Sequence, residues 1–104
     1  MATHIVIRTT QGDEDTFTLR EVCERNHVHA ELVMKLVSYG IAEPRPGDRP
    51  GQWLFSTRDL ARIRRALNLM HDLQVNVPGA ALTLDLLDEL DSLRREVARL
   101  RRLL

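Results

Sequence analysis

Apolar and polar residues alternate from His4 to Thr10, with Ile5 and Ile7 on one face and His4, Val6 and Arg8 on the other. A period of two predicts a short half-buried strand, closed here by the acidic turn Gln11-Gly12-Asp13-Glu14-Asp15. The period then lengthens. Thr18-Leu19-Arg20-Glu21 is a capping box, in which the Thr18 hydroxyl takes a backbone N–H and Glu21 reaches back to the cap, so a helix is expected to start at Leu19. Leu19, Val22 and Cys23 share its inner face. A turn around Asn26-His27 leads to a second helix from near His29, where Leu32, Val33, Leu36 and Val37 form an apolar stripe. Gly40 can close it in the left-handed conformation. Two short helices joined by a tight turn make a helix-turn-helix.

After Gly40 the pattern is that of a hairpin. Ile41-Ala42-Glu43-Pro44-Arg45 and Gln52-Trp53-Leu54-Phe55 flank the turn-rich Pro46-Gly47-Asp48-Arg49-Pro50-Gly51, which predicts a β-wing. Ser56-Thr57-Arg58-Asp59 opens a third helix that runs to about Gln74, with Leu60, Ile63, Leu67 and Met70 inward and Arg62, Arg64 and Arg65 largely outward. Val75-Asn76-Val77 breaks it, and Pro78 suits the first turn of a last, long helix. The expected fold is mostly α: a winged helix-turn-helix with its N-terminal strand over residues 1–76 and a coiled-coil-like helix over residues 77–104, in one structural domain.

The last helix carries the clearest periodicity. Leu86, Leu90, Leu93, Val97, Leu100 and Leu104 alternate spacings of four and three, a heptad seam. A domain this small offers little surface to cover the distal turns, so pairing with a second chain is expected over packing on its own domain. The charges leave helix orientation open. Asp85, Asp88, Glu89 and Asp91 precede Arg94, Arg95, Arg99, Arg101 and Arg102, which favours antiparallel helices. The positions flanking the seam favour parallel ones, matching Glu89 with Arg94 and Glu96 with Arg101.

Composition narrows the function classes. Fifteen basic residues balance fifteen acidic ones in 104 residues, so no overall positive field draws a polyanion. The single cysteine, Cys23, rules out an internal disulfide framework and suits the reducing cytoplasm. Neither a secretory leader nor the roughly 20 apolar residues of a membrane span is evident. His4, His27, His29 and His71 are scattered, and only Cys23 with His27 has the helical spacing of a ligand pair, short of the three or four ligands a zinc site needs. Cys23 reads better as a small buried apolar residue. With no phosphate-binding glycine loop and no nucleophile elbow, an enzyme is not expected. Nor does the second helix suit DNA: it offers one lysine, Lys35, and places Glu31 near the phosphates. Arg45 and Arg49 in the wing, with Arg62 and Arg65, remain able to touch a backbone.

Phe17-Thr18-Leu19-Arg20-Glu21-Val22-Cys23, then Tyr39-Gly40-Ile41-Ala42-Glu43-Pro44, then Trp53-Leu54-Phe55 and Asp59-Leu60 resemble, in order and spacing, the MerR-like winged helix, whose members end in a long dimerising helix, commonly antiparallel. Within that group, the Gly-Ile-Ala-Glu-Pro segment, Val77-Pro78-Gly79-Ala80-Ala81-Leu82 and Leu84-Asp85-Leu86-Leu87-Asp88-Glu89-Leu90 resemble the CbpM family of chaperone modulators. The resemblance covers nearly the whole chain from Phe17, and Gln11 to Thr16 reads as an insertion relative to it. It implies a homodimer whose partner is a CbpA-type, DnaJ-like cochaperone, with the J domain bound and kept from stimulating the Hsp70 chaperone DnaK. No ATP or metal is implied. The alternative, a MerR-type DNA-binding regulator, is disfavoured because Met34, Lys35 and Leu36 stand where such regulators usually carry an arginine and tyrosines, and no sensor region follows the last helix.

J domains are expected to present a basic helix to their Hsp70, so an inhibitor covering it should supply carboxylates around an apolar centre. Two surfaces qualify. One is Asp85, Asp88, Glu89 and Asp91, with Leu84 or Leu87 as apolar anchors. The other is Glu31 with Met34 on the second helix.

Overall fold

The computed structural model describes residues 15–104, and the strand expected over His4–Thr10 lies outside them. In chain order the elements are strand β1 (Thr16–Thr18), helices α1 (Leu19–Asn26) and α2 (Ala30–Ser38), a 3-10 turn at Pro50–Gln52, strand β2 (Leu54–Ser56), and helices α3 (Thr57–Leu73) and α4 (Val77–Arg102). This is a winged helix-turn-helix carried by four helices and a small antiparallel sheet among the described residues.

Local signals set most boundaries. The Thr18 hydroxyl accepts from the Glu21 amide at 3.1 Å while Glu21 accepts from the Thr18 amide at 2.9 Å, closing the expected capping box at the start of α1. Ser56 and Asp59 repeat the device at α3. Asn76 caps α4 by accepting the Gly79 amide at 2.9 Å, with Pro78 in the first turn. Helix α2 ends where Gly40 turns to φ 78°, a conformation a Cβ disfavours. His27 and Gln74 enter the same left-handed region at the ends of α1 and α3.

The wing departs from the expected hairpin. Strand β2 pairs instead with β1, Phe17 opposite Phe55, and on its other edge meets the 41–45 segment only at Arg45, whose amide and carbonyl exchange bonds of 2.8 and 3.1 Å with Leu54. Pro44, Pro46 and Pro50 lack an N–H to extend that ladder, and the chain folds into a 3-10 turn rather than a second strand. Trp53 meets Phe55 edge-on at 6.3 Å between ring centroids.

The core gathers Val22 of α1, Val33 and Leu36 of α2, Ile41, Phe55 of β2, Ile63 and Ala66 of α3, and Val77, Ala80, Ala81 and Leu84 of α4. Two inner faces differ in detail from expectation. In α3 the buried line is Asp59, Ile63 and Ala66, while Leu60, Leu67 and Met70 sit half-buried at its edge. In α4 the first turns pack into the domain, which places the predicted anchor Leu84 at 0 % exposure inside the core. The rest of α4 stands clear, every residue from Leu90 on being exposed. That projection is why the radius of gyration is 16.5 Å, against about 13 Å for a compact chain of 100 residues. Leu84→Ala, which opens a cavity among α2, α3 and α4, is expected to lower stability by about 2–5 kcal/mol in urea unfolding.

Candidate partner-binding surfaces

Helix α3 holds its neighbours through two polar side chains one turn apart. The buried Asp59 carboxylate accepts the Ser56 amide at 2.9 Å through one oxygen and the Glu43 amide at 3.0 Å through the other. Arg62 reaches the same segment from above: its Nε donates to the Ile41 carbonyl at 2.6 Å, and its Nη1 meets Asp88 Oδ2 of α4 at 2.6 Å. Its Nη2 lies 3.8 Å from Asp85 Oδ1. The arginine expected to face outward is therefore turned in, its side chain only 17 % exposed. The spacing of Asp59, Arg62, Ile63 and Ala66 is that of a single helix face, and that was the signal available in the sequence.

The same pairing decides what the α4 carboxylates can offer. Asp88 and Asp85 are brought together around Arg62, with 50 % and 74 % of their side chains exposed, so each keeps an outward oxygen while its position is fixed from behind. Asp91 pairs along the helix with Arg95, a surface contact of small worth. Glu89 is exposed and has no ion-pair partner among the described residues. Glu31 is exposed on the first turn of α2, whereas Met34 is half-buried against the core, and no hydrogen bond or ion pair among the described residues joins either to the α4 carboxylates. Leu87 is half-buried.

The seam residues Leu86, Leu90, Leu93, Val97 and Leu100 are 43–59 % exposed, and Leu104 lies just past the helix end. At about 100° per residue, they fall with the exposed Leu82 in an arc of about 80°, centred about 170° from the core face formed by Val77, Ala80, Ala81 and Leu84. Leu82 thus extends the apolar stripe one turn beyond the expected seam, and the stripe faces away from its own domain even where α4 is packed on it. Asp85 and Glu89 lie on the flank between the two faces, and Asp88 and Asp91 continue that acidic flank onto the line of the core face beyond its packed turns. Arg94 and Arg101 border the stripe and line a shallow groove with Leu90, Leu93, Val97 and Ala98.

Elsewhere the chemistry is sparse. Cys23 is half-buried against the core, and burial, with the Glu24 charge beside it, pushes its thiol up from 9.0. His27 is the exposed residue that ends α1, and among the described residues no three His, Cys, Asp or Glu side chains gather as a metal site. No described helix is long and apolar enough to cross a membrane.

Residues 17–102 match the family of MerR HTH regulatory proteins. A chaperone modulatory protein CbpM of Pseudomonas entomophila (strain L48) is 37 % identical over 78 residues, 75 % of this chain and 76 % of the relative. The CbpM of Pseudomonas putida (strain GB-1) is 39 % identical over 83 residues, 80 % and 81 % of the two chains. That of Coxiella burnetii (strain Dugway 5J108-111) is 33 % identical over 82 residues, 79 % and 76 %.

Removing Arg62 leaves the Ile41 carbonyl and Asp88 without their donor, so Arg62→Ala is expected to cost about 1–3 kcal/mol. The exposed Arg64→Ala should stay within about 0.5 kcal/mol. Urea unfolding of the two variants side by side checks the contrast.

Proposed function

This chain belongs to the MerR helix-turn-helix regulatory family and, within it, to the CbpM chaperone modulatory proteins, and we propose that it inhibits a CbpA-type, DnaJ-like cochaperone by occupying the J domain and preventing stimulation of DnaK. The observation that carries this reading is the division of α4. Beyond its buried face, the helix offers a carboxylate flank, Asp85, Asp88, Glu89 and Asp91, and a separate leucine stripe. A basic helix laid along the flank meets charges of opposite sign, two of them held in place by Arg62. Glu31 is a secondary candidate on α2, and Met34, half-buried, offers less contact area than its position in the helix suggests.

The stripe supports self-association. Six large apolar positions from Leu82 to Leu100 on one exposed arc exceed what scattered surface leucines explain, and a second copy of the same helix buries them with matched spacing. Dimerisation through the stripe leaves Asp85, Asp88 and Asp91 open, with Glu89 at its border, so one dimer has room for a J domain on each α4. In this reading the protein acts in the cytoplasm beside its chaperone, by binding alone, with no bound metal or nucleotide taking part. A DNA-binding role draws less support, since Arg62, one of the arginines available to a phosphate, is spent inside the fold.

Because Asp88 also anchors Arg62, the cleaner probes of the flank are Glu89 and Asp91. In calorimetric titration with an isolated CbpA-type J domain, Glu89→Lys with Asp91→Lys is expected to weaken binding about tenfold or more, equivalent to about 1.4 kcal/mol or more, with the unfolding midpoint unchanged. Wild-type affinity in that variant would move the interface off α4. A random DNA duplex titrated in parallel at about 0.15 M salt, where surface charges are screened beyond about 8 Å, should give no saturable heat. Leu93→Glu places a charge at the centre of the stripe and should convert dimer to monomer in sedimentation at micromolar concentration, whereas a persistent dimer would show that the stripe is not what joins two copies.

A further inference from the structure

A cleft of about 560 Å³ opens between the 40–45 segment, β2, the start of α3 and α4, and six charged side chains line it: Glu43, Arg45, Arg58, Asp59, Arg62 and Asp88. Much of their hydrogen-bonding capacity is taken up within the fold. Both oxygens of Asp59 accept backbone amides, and Arg62 is divided between the Ile41 carbonyl and Asp88. What is left is Arg45 and Arg58, exposed and in no ion pair among the described residues, against the single carboxylate of Glu43. The six formal charges cancel, three against three, but the hydrogen-bonding groups left open are chiefly the two guanidinium groups, whose planar fork suits a carboxylate.

We propose that Arg45 and Arg58 receive a carboxylate side chain from the same protein partner whose basic surface lies on the α4 flank, so that the cleft sets the specificity of that docking. The inference rests on the protein-binding reading above. Asp88 connects the two halves, because it is at once a wall of the cleft and a member of the acidic flank. A partner that lays a basic helix along Asp85, Asp88, Glu89 and Asp91 necessarily brings its neighbouring residues to the cleft. A partner that places an acidic residue beside its basic helix gains charge-assisted hydrogen bonds from Arg45 and Arg58, which a wholly basic surface leaves unmade. The flanking carboxylates argue equally against duplex DNA, since a polyanion reaching Arg45 and Arg58 passes the acidic flank.

The test is the double variant Arg45→Glu with Arg58→Glu, titrated with the J domain of a CbpA-type cochaperone. Arg45 bonds to Leu54 only through its backbone, and a glutamate at position 58 lies in the first turn of α3, where negative charge favours the helix, so folding and self-association are expected to persist. Affinity should fall at least tenfold, with the unfolding midpoint and sedimentation unchanged. Reversing to lysine, one at a time, the acidic residues that flank the partner's basic helix should restore at least part of that affinity at one position. Wild-type affinity in the double variant, or restoration at no position, overturns the proposal. If Glu89→Lys with Asp91→Lys still weakens binding in that case, the protein-binding reading stands without the cleft. An unaltered chain that does not bind the J domain overturns both, and loss of duplex DNA binding with J-domain affinity unchanged assigns the arginines to phosphates instead.

Discussion

One helix with two apolar faces about 170° apart cannot bury both in a domain that touches it from one side, and the rest of this molecule follows from that constraint. The face made of Val77, Ala80, Ala81 and Leu84 goes to the core, where two alanines let α4 approach α3 and α2 closely. The face made of Leu82, Leu86, Leu90, Leu93, Val97 and Leu100 is left outside. The charged residues follow the same division, with Asp85 and Glu89 between the two faces and Asp88 turned to Arg62 of α3. The N-terminal turns of α4 thus belong to the winged domain, and its distal turns stand exposed.

Holding α4 at that angle depends on polar chemistry as much as on packing. Asp59 and Arg62, one turn apart on α3, take up the Glu43 amide and the Ile41 carbonyl, so the segment leaving α2 is tied to α3 at two backbone groups. Arg62 continues to Asp88 and so ties α4 to the same point. Arg62, one of the four arginines that could have faced a phosphate, is turned toward the protein's own backbone. Such a rearrangement fits a family whose named members modulate a chaperone.

Much of this was legible in the sequence where the signal is local or long. The capping box at Thr18, the left-handed glycine at position 40 and the heptads of the last helix each predicted what the structure contains, because a cap needs four residues and a stripe needs several turns. The β1 strand was not legible: Thr16-Phe17-Thr18 is three residues long, too short for a period, and its pairing with β2 is decided by contacts distant in sequence. For the same reason the wing was expected to pair along both arms, whereas its prolines leave one bridged residue. Arg62 was expected outward because an arginine on a helix usually is; its inward turn depends on a carbonyl 21 positions away. Leu84, a candidate anchor with Leu87 only if exposed, is buried, on a second apolar face that the prominent stripe on the other side of α4 masks in the sequence.

The proposed silencing of a cochaperone through its J domain is read out by ATP hydrolysis of DnaK driven by a CbpA-type cochaperone. Adding increasing amounts of this protein should return the stimulated rate to the unstimulated one, saturating near one chain per J domain, with DnaK's own basal rate untouched. A stimulated rate that does not change at any concentration, with the chain folded throughout, would contradict the account.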